Sequence, residues 1–170
     1  MFDAHKHYRY YLDLLPRMEL IVGGLAQWIE ATPTYLDQAE GDPAYLRVER
    51  DRHGCPAYSL HFTPSNWQNV AVYLHEVGHL VAAVLFPTLE PGPRAEVIAW
   101  AFVHWVHALC DEEHHEELTR ALRQAALCGS IDQRLNLSIA RLARDSNRGS
   151  GMYSLLELLA YDEYWFNVGA

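Results

Sequence analysis

The sequence predicts an α+β fold that is mainly α, and three observations carry that prediction. Apolar residues recur at helical spacing through 70–86 and through most of the chain beyond residue 93. Period-two alternation is confined to residues 45–62, on either side of the turn Asp51-Arg52-His53-Gly54. Proline and glycine punctuate the gaps, at Thr32-Pro33, Gly41-Asp42-Pro43, Pro87 and Pro93. The expected architecture is a small antiparallel sheet, a hairpin at about 45–62, packed on a central helix and followed by C-terminal helices. At 170 residues, half of them apolar, the chain reads most economically as one domain over 1–170.

Each element has a local reason. Asp3 to Leu15 reads as a first helix interrupted by Pro16, and Arg17 to Glu30 as a second, with Ile21, Leu25, Trp28 and Ile29 forming its apolar stripe. In the hairpin, Leu46 and Val48 alternate with charged Arg47 and Glu49. Tyr58, Leu60 and Phe62 alternate with Ala57, Ser59 and His61, so one face should be buried. Thr63, Pro64 and Ser65 introduce a long helix that Pro87 closes. Arg94 to Cys110 forms the next, and Asp111 to Leu127 another whose Asp111-Glu112-Glu113 suits the positive end of a helix dipole. A short helix from Ser130 to Ala143, a loop over Asp145 to Gly151 and a final aromatic helix from about Met152 to Phe166 complete the expectation.

Composition excludes some functions. A formal charge of −9, with basic residues scattered, argues against a protein built to bind nucleic acid or anionic membranes. Three irregularly spaced cysteines suit reduced, mostly buried thiols in a cytoplasmic protein better than a disulfide framework, and the N-terminus shows no signal peptide. The most apolar run, Val70 to Phe86, contains His75, Glu76 and His79, which would be costly in lipid.

Those residues are the chemical centre of the sequence. His75-Glu76-Val77-Gly78-His79 places two imidazoles one helical turn apart on one face, where both reach one metal ion. Glu76 lies about 100° round from His75, where a carboxylate meets a zinc-bound water and takes its proton as general base. The alternative is a structural His-Glu pair. Against it, the motif sits inside an apolar helix, where a buried charge needs a partner. Gly78 in mid-helix costs about 1 kcal/mol relative to alanine, which suggests that something approaches closely there. A catalytic zinc needs three protein ligands and an open position. Glu96, in the first turn of the next helix, is the leading third ligand; its other reading is an acidic residue favouring a helix N-terminus.

The hairpin, the His-Glu-Val-Gly-His helix and then Glu96-Val97-Ile98-Ala99-Trp100-Ala101-Phe102 resemble the ImmA/IrrE-type metallopeptidases. That family follows its HExxH helix with one beginning Glu-x-x-Ala-x-x-Phe. The resemblance covers about Tyr45 to Ala108. It implies a zincin-like fold of the gluzincin type, with His75, His79 and Glu96 on Zn2+, Glu76 as base, and a protein substrate such as a transcriptional repressor. His75 to Ala82 followed by Leu85-Phe86-Pro87 also resembles the start of the FtsH-type protease domain, which would make Asp132 the third ligand.

Three functions remain open on the sequence: a zinc metalloendopeptidase, a catalytically silent zincin-like binding or regulatory module, and a metal-free helical interaction protein. His104 and His107 share the helix of Glu96, and one of them could polarise a substrate carbonyl, although packing is the commoner role. His114-His115 should be solvated, and His5 and His7 should form a half-exposed helix face. Tyr153, Tyr161 and Tyr164 are candidates for stabilising a tetrahedral intermediate. An extended substrate should pair with a sheet edge, and the expected edge is the strand Ala57 to Phe62, with the aromatic C-terminal helix closing part of the cleft wall.

Overall fold

The computed structural model describes residues 2–18 and 25–127. The readings made for Ile21, Cys128, Asp132, Tyr153, Tyr161, Tyr164 and the helices after residue 130 lie outside them. The described chain is mainly helical with one three-stranded sheet. In order it contains α1 (Ala4–His7), α2 (Arg9–Leu12), a 3-10 turn at Leu15–Met18, α3 (Leu25–Ala31), β1 (Thr34–Leu36), β2 (Tyr45–Arg50), β3 (Pro56–Phe62), a 3-10 turn at Asn66–Gln68, α4 (Val70–Leu85), α5 (Pro93–Leu109) and α6 (Glu112–Leu127).

The sheet is mixed rather than purely antiparallel. Its order is β1-β3-β2: β2 and β3 form the antiparallel hairpin, and β1 joins β3 in parallel, with Thr34 opposite Leu60 and Leu36 opposite Phe62. Three residues after Pro33 are too few for a period-two pattern to be visible, so the sequence carries no sign of β1 beyond the punctuation at Thr32-Pro33. The hairpin turn is built by Asp51, whose carboxylate accepts the backbone N–H groups of His53 and Cys55, both at 2.8 Å. Gly54 follows at φ 80°, a conformation that side chains resist.

β3 is therefore the central strand. The expectation that Ala57 to Phe62 forms a free edge is wrong, because β1 satisfies the side of β3 that β2 leaves open. The free edge facing the helices belongs to β2. Leu60 donates its N–H to Pro33 on the β1 side, so at the Leu46–Leu60 pair the backbone groups point away from each other. By alternation Leu46, Val48 and Arg50 direct theirs to the outside of the sheet. Leu60 and Phe62 are buried as expected, whereas Tyr58 is only partly covered because the hairpin runs beyond the helices.

The N-terminus departs from the sequence reading in a regular way. The first helix is broken into two single turns at Tyr8, and Leu15–Met18, where the second was expected to start, forms a 3-10 turn. Leu25 and Ile29 are buried, while Trp28, read as part of the same stripe, is half-exposed beside Tyr58. His5 is buried rather than half-exposed, held between the Tyr73 hydroxyl at 2.8 Å and the Thr32 carbonyl at 2.7 Å. Of the cysteines, Cys55 is exposed on the hairpin turn and Cys110 half-buried, both unpaired. No described helix is long and apolar enough to cross a membrane.

The core lies where α4 is wrapped by α5, α6, the inner face of the sheet and the N-terminal turns. Leu74, Val77, Leu80 and Val81 of α4 meet Ile98, Phe102 and Val106 of α5, with Leu118 of α6 and Phe62 of β3. Asn69 starts α4 by accepting the N–H groups of Ala71 (2.9 Å) and Val72 (3.2 Å). Pro93 starts α5 at the position where a missing N–H costs nothing. α4 is thereby fixed at its start, ahead of the histidines.

Candidate metal centre

α4 and α5 cross backbone to backbone. A Cβ on Gly78 would lie 2.7 Å from both Cα and O of Ala99, so glycine is required by the neighbour helix. The small residues at this crossing, Gly78 on one helix and fully buried Ala99 on the other, let the axes approach. One turn before Ala99 on α5 stands Glu96; beside Gly78 on α4 stands His79, and one turn before that His75. The close approach expected at Gly78 is thus the approach of α5, and it brings Glu96 to the histidines.

The resulting geometry is compact. His75 Nε2 and His79 Nε2 are 3.1 Å apart. Glu96 bridges them, Oε1 lying 3.1 Å from His79 Nε2 and Oε2 lying 3.2 Å from His75 Nε2. A tetrahedral zinc with bonds of about 2.0–2.1 Å spaces its ligand atoms about 3.3 Å apart, so the three groups stand at separations close to those a single ion requires. They are the group of His, Cys, Asp or Glu side chains that could hold an ion among the described residues. The second imidazole nitrogen of His75 is buried without a hydrogen-bond partner, as are Glu76 Oε2 and the indole N–H of Trp100. Trp105 Nε1 is also without one, elsewhere on α5.

Charge distribution follows from this packing. Burial disfavours the charged form of His75 and lowers its pKa, against the pull of Glu96. Burial opposes the charge on His79 too, but its hydrogen bond to Glu96 and the Glu76 charge outweigh it, and its pKa is raised. Hydrogen bonds from His75 and His79 hold Glu96 well below the usual carboxylate range, and Glu96 itself is half-exposed. Glu76 is the opposite case. It is only 4% exposed, and burial pushes its pKa up to about 7, with the His79 charge and a hydrogen bond from the Leu46 backbone N–H opposing.

That Leu46 contact connects the free edge of β2 to Glu76. His75, Glu76, His79, Glu96 and Trp100 line a cleft of about 1190 Å³, whose far wall is Tyr45, Leu46 and Val48 of β2. Trp100 packs against His75, with ring centroids 4.5 Å apart. It escapes a motif-based reading, although its place one turn after Glu96 puts it on the same face of α5. Leu46 escapes it as well, because the group it contributes is backbone.

The other histidines are elsewhere. Neither His104 nor His107 lines the cleft. His107 turns towards α6, 2.8 Å from Thr119 Oγ1 and stacked on His115. His114 is half-buried, not solvated, because its ring stacks on Tyr10 at 3.4 Å.

Compared with family models, curated proteins and solved structures, the chain matches none.

Proposed function

We propose that the chain is a zinc-dependent metallopeptidase, a single zincin-like domain of the gluzincin type, similar to the ImmA/IrrE-type enzymes. The observation that carries the reading is the convergence of His75, His79 and Glu96, with the two Nε2 atoms 3.1 Å apart and each within 3.1–3.2 Å of one Glu96 carboxylate oxygen, beside a buried Glu76. Orphaned polar atoms at the same place support it, since a buried polar atom without a partner costs about 1–3 kcal/mol. A zinc ion held by these three side chains would supply Lewis acidity and make a coordinated water acidic near neutral pH.

The chain's own residues would do the rest. Glu76 accepts the proton of the attacking water and delivers it to the leaving amine, a task suited to a carboxylate whose pKa is near 7. The N–H of Leu46 keeps its carboxylate oriented while leaving Oε2 without a protein partner. An extended protein segment, for which a transcriptional regulator remains the example set by the resemblance, pairs with the outward backbone groups of β2. Val48 offers such groups at the cleft wall.

The test is zinc-loaded protein against an unfolded protein substrate. Glu76→Gln is expected to retain one zinc per chain and lose about 10²–10⁴-fold in cleavage rate. One zinc per chain with no Glu76-dependent cleavage would leave a zincin-like binding module instead. A wild type that holds no zinc would remove both readings.

A further inference from the structure

The outer face of the sheet carries a second cluster of reactive side chains, none of which lines the cleft. His61 Nδ1 lies 2.9 and 2.8 Å from the two carboxylate oxygens of Asp37, and His61 Nε2 lies 2.9 Å from Ser59 Oγ. A carboxylate can only accept, so Nδ1 carries the proton and Nε2 of the neutral ring is an acceptor. In that state of the ring the Ser59 hydroxyl donates to it. Backbone register builds the row. Ser59 and His61 are two apart on β3 and share a face, and Asp37 follows the last β1 residue, Leu36, which pairs with Phe62.

The imidazole is also locked. Tyr35 and Tyr45 flank it from the neighbouring strands, with ring centroids at 5.1 and 4.8 Å and interplanar angles of 22° and 5°. Gln38 holds the carboxylate by donating to Asp37 Oδ1 at 3.0 Å. Arg47 faces Ser59 directly across the β2–β3 pair, so its guanidinium, ion-paired to Glu49 at 2.5 Å, stands on the same face. A hydroxyl held on the acceptor nitrogen of an imidazole, with a carboxylate fixing the tautomer, supplies the nucleophile and base of an acyl-transfer site.

We propose that Ser59, His61 and Asp37 form a metal-independent nucleophilic site acting on small, accessible carboxylic esters. Ser59 Oγ bonds to the ester carbonyl carbon while its proton passes to His61 Nε2. The carbon–oxygen bond to the alcohol breaks, and the alcohol leaves with that proton. Water then attacks the acyl-Ser59 carbonyl, again giving its proton to His61. Ser59 recovers the proton as the acid departs. Ser59 sits on an open strand face, only partly buried, which limits substrates to those needing no enclosing cavity.

The test uses the full chain and an alkyl fluorophosphonate, which exchanges its P–F bond for P–O on a reactive serine, with p-nitrophenyl acetate as the turnover substrate. The adduct is expected on Ser59 by peptide mass spectrometry, absent in Ser59→Ala and unaffected by EDTA. Asp37→Asn, whose amide can donate to Nδ1 and so reverse the tautomer, should slow labelling by about 100-fold or more. Asp37 is half-exposed, so this variant should stay folded, as circular dichroism can verify. Labelling of Ser59 no faster than in the urea-unfolded chain overturns the proposal. So does labelling of Asp37→Asn at the wild-type rate, which would leave the row as hydrogen bonding that stiffens the sheet.

Discussion

The seam between α4 and α5 and the outer face of the sheet both join histidines to carboxylates, yet they differ in completeness. At the seam His75 Nδ1, Glu76 Oε2 and Trp100 Nε1 are buried without partners, and two imidazole nitrogens meet at 3.1 Å. On the sheet both nitrogens of His61 are satisfied by protein groups. The first region therefore keeps buried polar atoms that protein groups leave unmet, whereas the imidazole of the second has both its nitrogens met. The carboxylates differ most: Glu76 is 4% exposed, while the Asp37 side chain beside the equally buried His61 is 48% exposed and can use water.

The strongest way to break this contrast is through zinc itself. His79→Ala should weaken zinc binding, measured by competition with a chromophoric chelator, by more than the ~10–100-fold typical of an outer partner. Asp37→Ala should leave it unchanged. Equal losses would mean that the two regions are not separate.

Gly78→Ala comes next. Its new Cβ would meet the Ala99 backbone, which cannot rotate away. A loss of about 3 kcal/mol in urea unfolding is expected, at the upper end for overpacking, with weaker zinc binding because Glu96 is displaced. Preserved stability would show that the two helices can separate at this crossing at little cost.

A pH titration sharpens the contrast further. With zinc removed, the Glu76 carboxyl keeps its proton in the folded chain up to about 7, but loses it near 4.5 when unfolded. Folding stability should therefore fall as pH rises between these values and level off above them. Glu76→Gln lacks this dependence. The wild type should match it near pH 4 and trail by about 3 kcal/mol at pH 8, taking about 1.4 kcal/mol per pH unit. A constant difference across that range would show that Glu76 titrates normally. The smallest effect belongs to the sheet, where Asp37→Ala should cost at most about 1 kcal/mol because the pair is solvent-exposed on one side.

Much of this was legible in the sequence, for reasons that individual residues make clear. The end of α4 and the start of α5 fall close to the expected places because Pro87 and Pro93 act within a turn of where they stand. By contrast, α4 begins at Val70 rather than directly after Ser65, since a 3-10 turn intervenes and Asn69 caps the helix. His75, Glu76, His79 and Glu96 come together as spacing and the Glu-x-x-Ala pattern suggested. β1 was not legible, since three residues carry no period and its pairing with β3 is set by contacts across the fold. The edge was misassigned for the same reason, and with it the surface offered to a substrate. Nor could alternation alone reveal that His61 would be buried, because the covering rings of Tyr35 and Tyr45 come from two other strands. The partners of Glu76 and His75, a backbone N–H and an indole ring, belong to no side-chain motif.

The contact of Gly78 with Ala99 has one further consequence, for tolerance to sequence change. Because main-chain atoms set the spacing of α4 and α5, side chains elsewhere along the two helices need only remain apolar and fill the volume. Substitutions at Leu74, Val81 or Val106 can accumulate, each offset by a neighbour, without moving Glu96 relative to the histidines. The geometry of the site is then inherited through a handful of positions, and the rest of the core is free to drift.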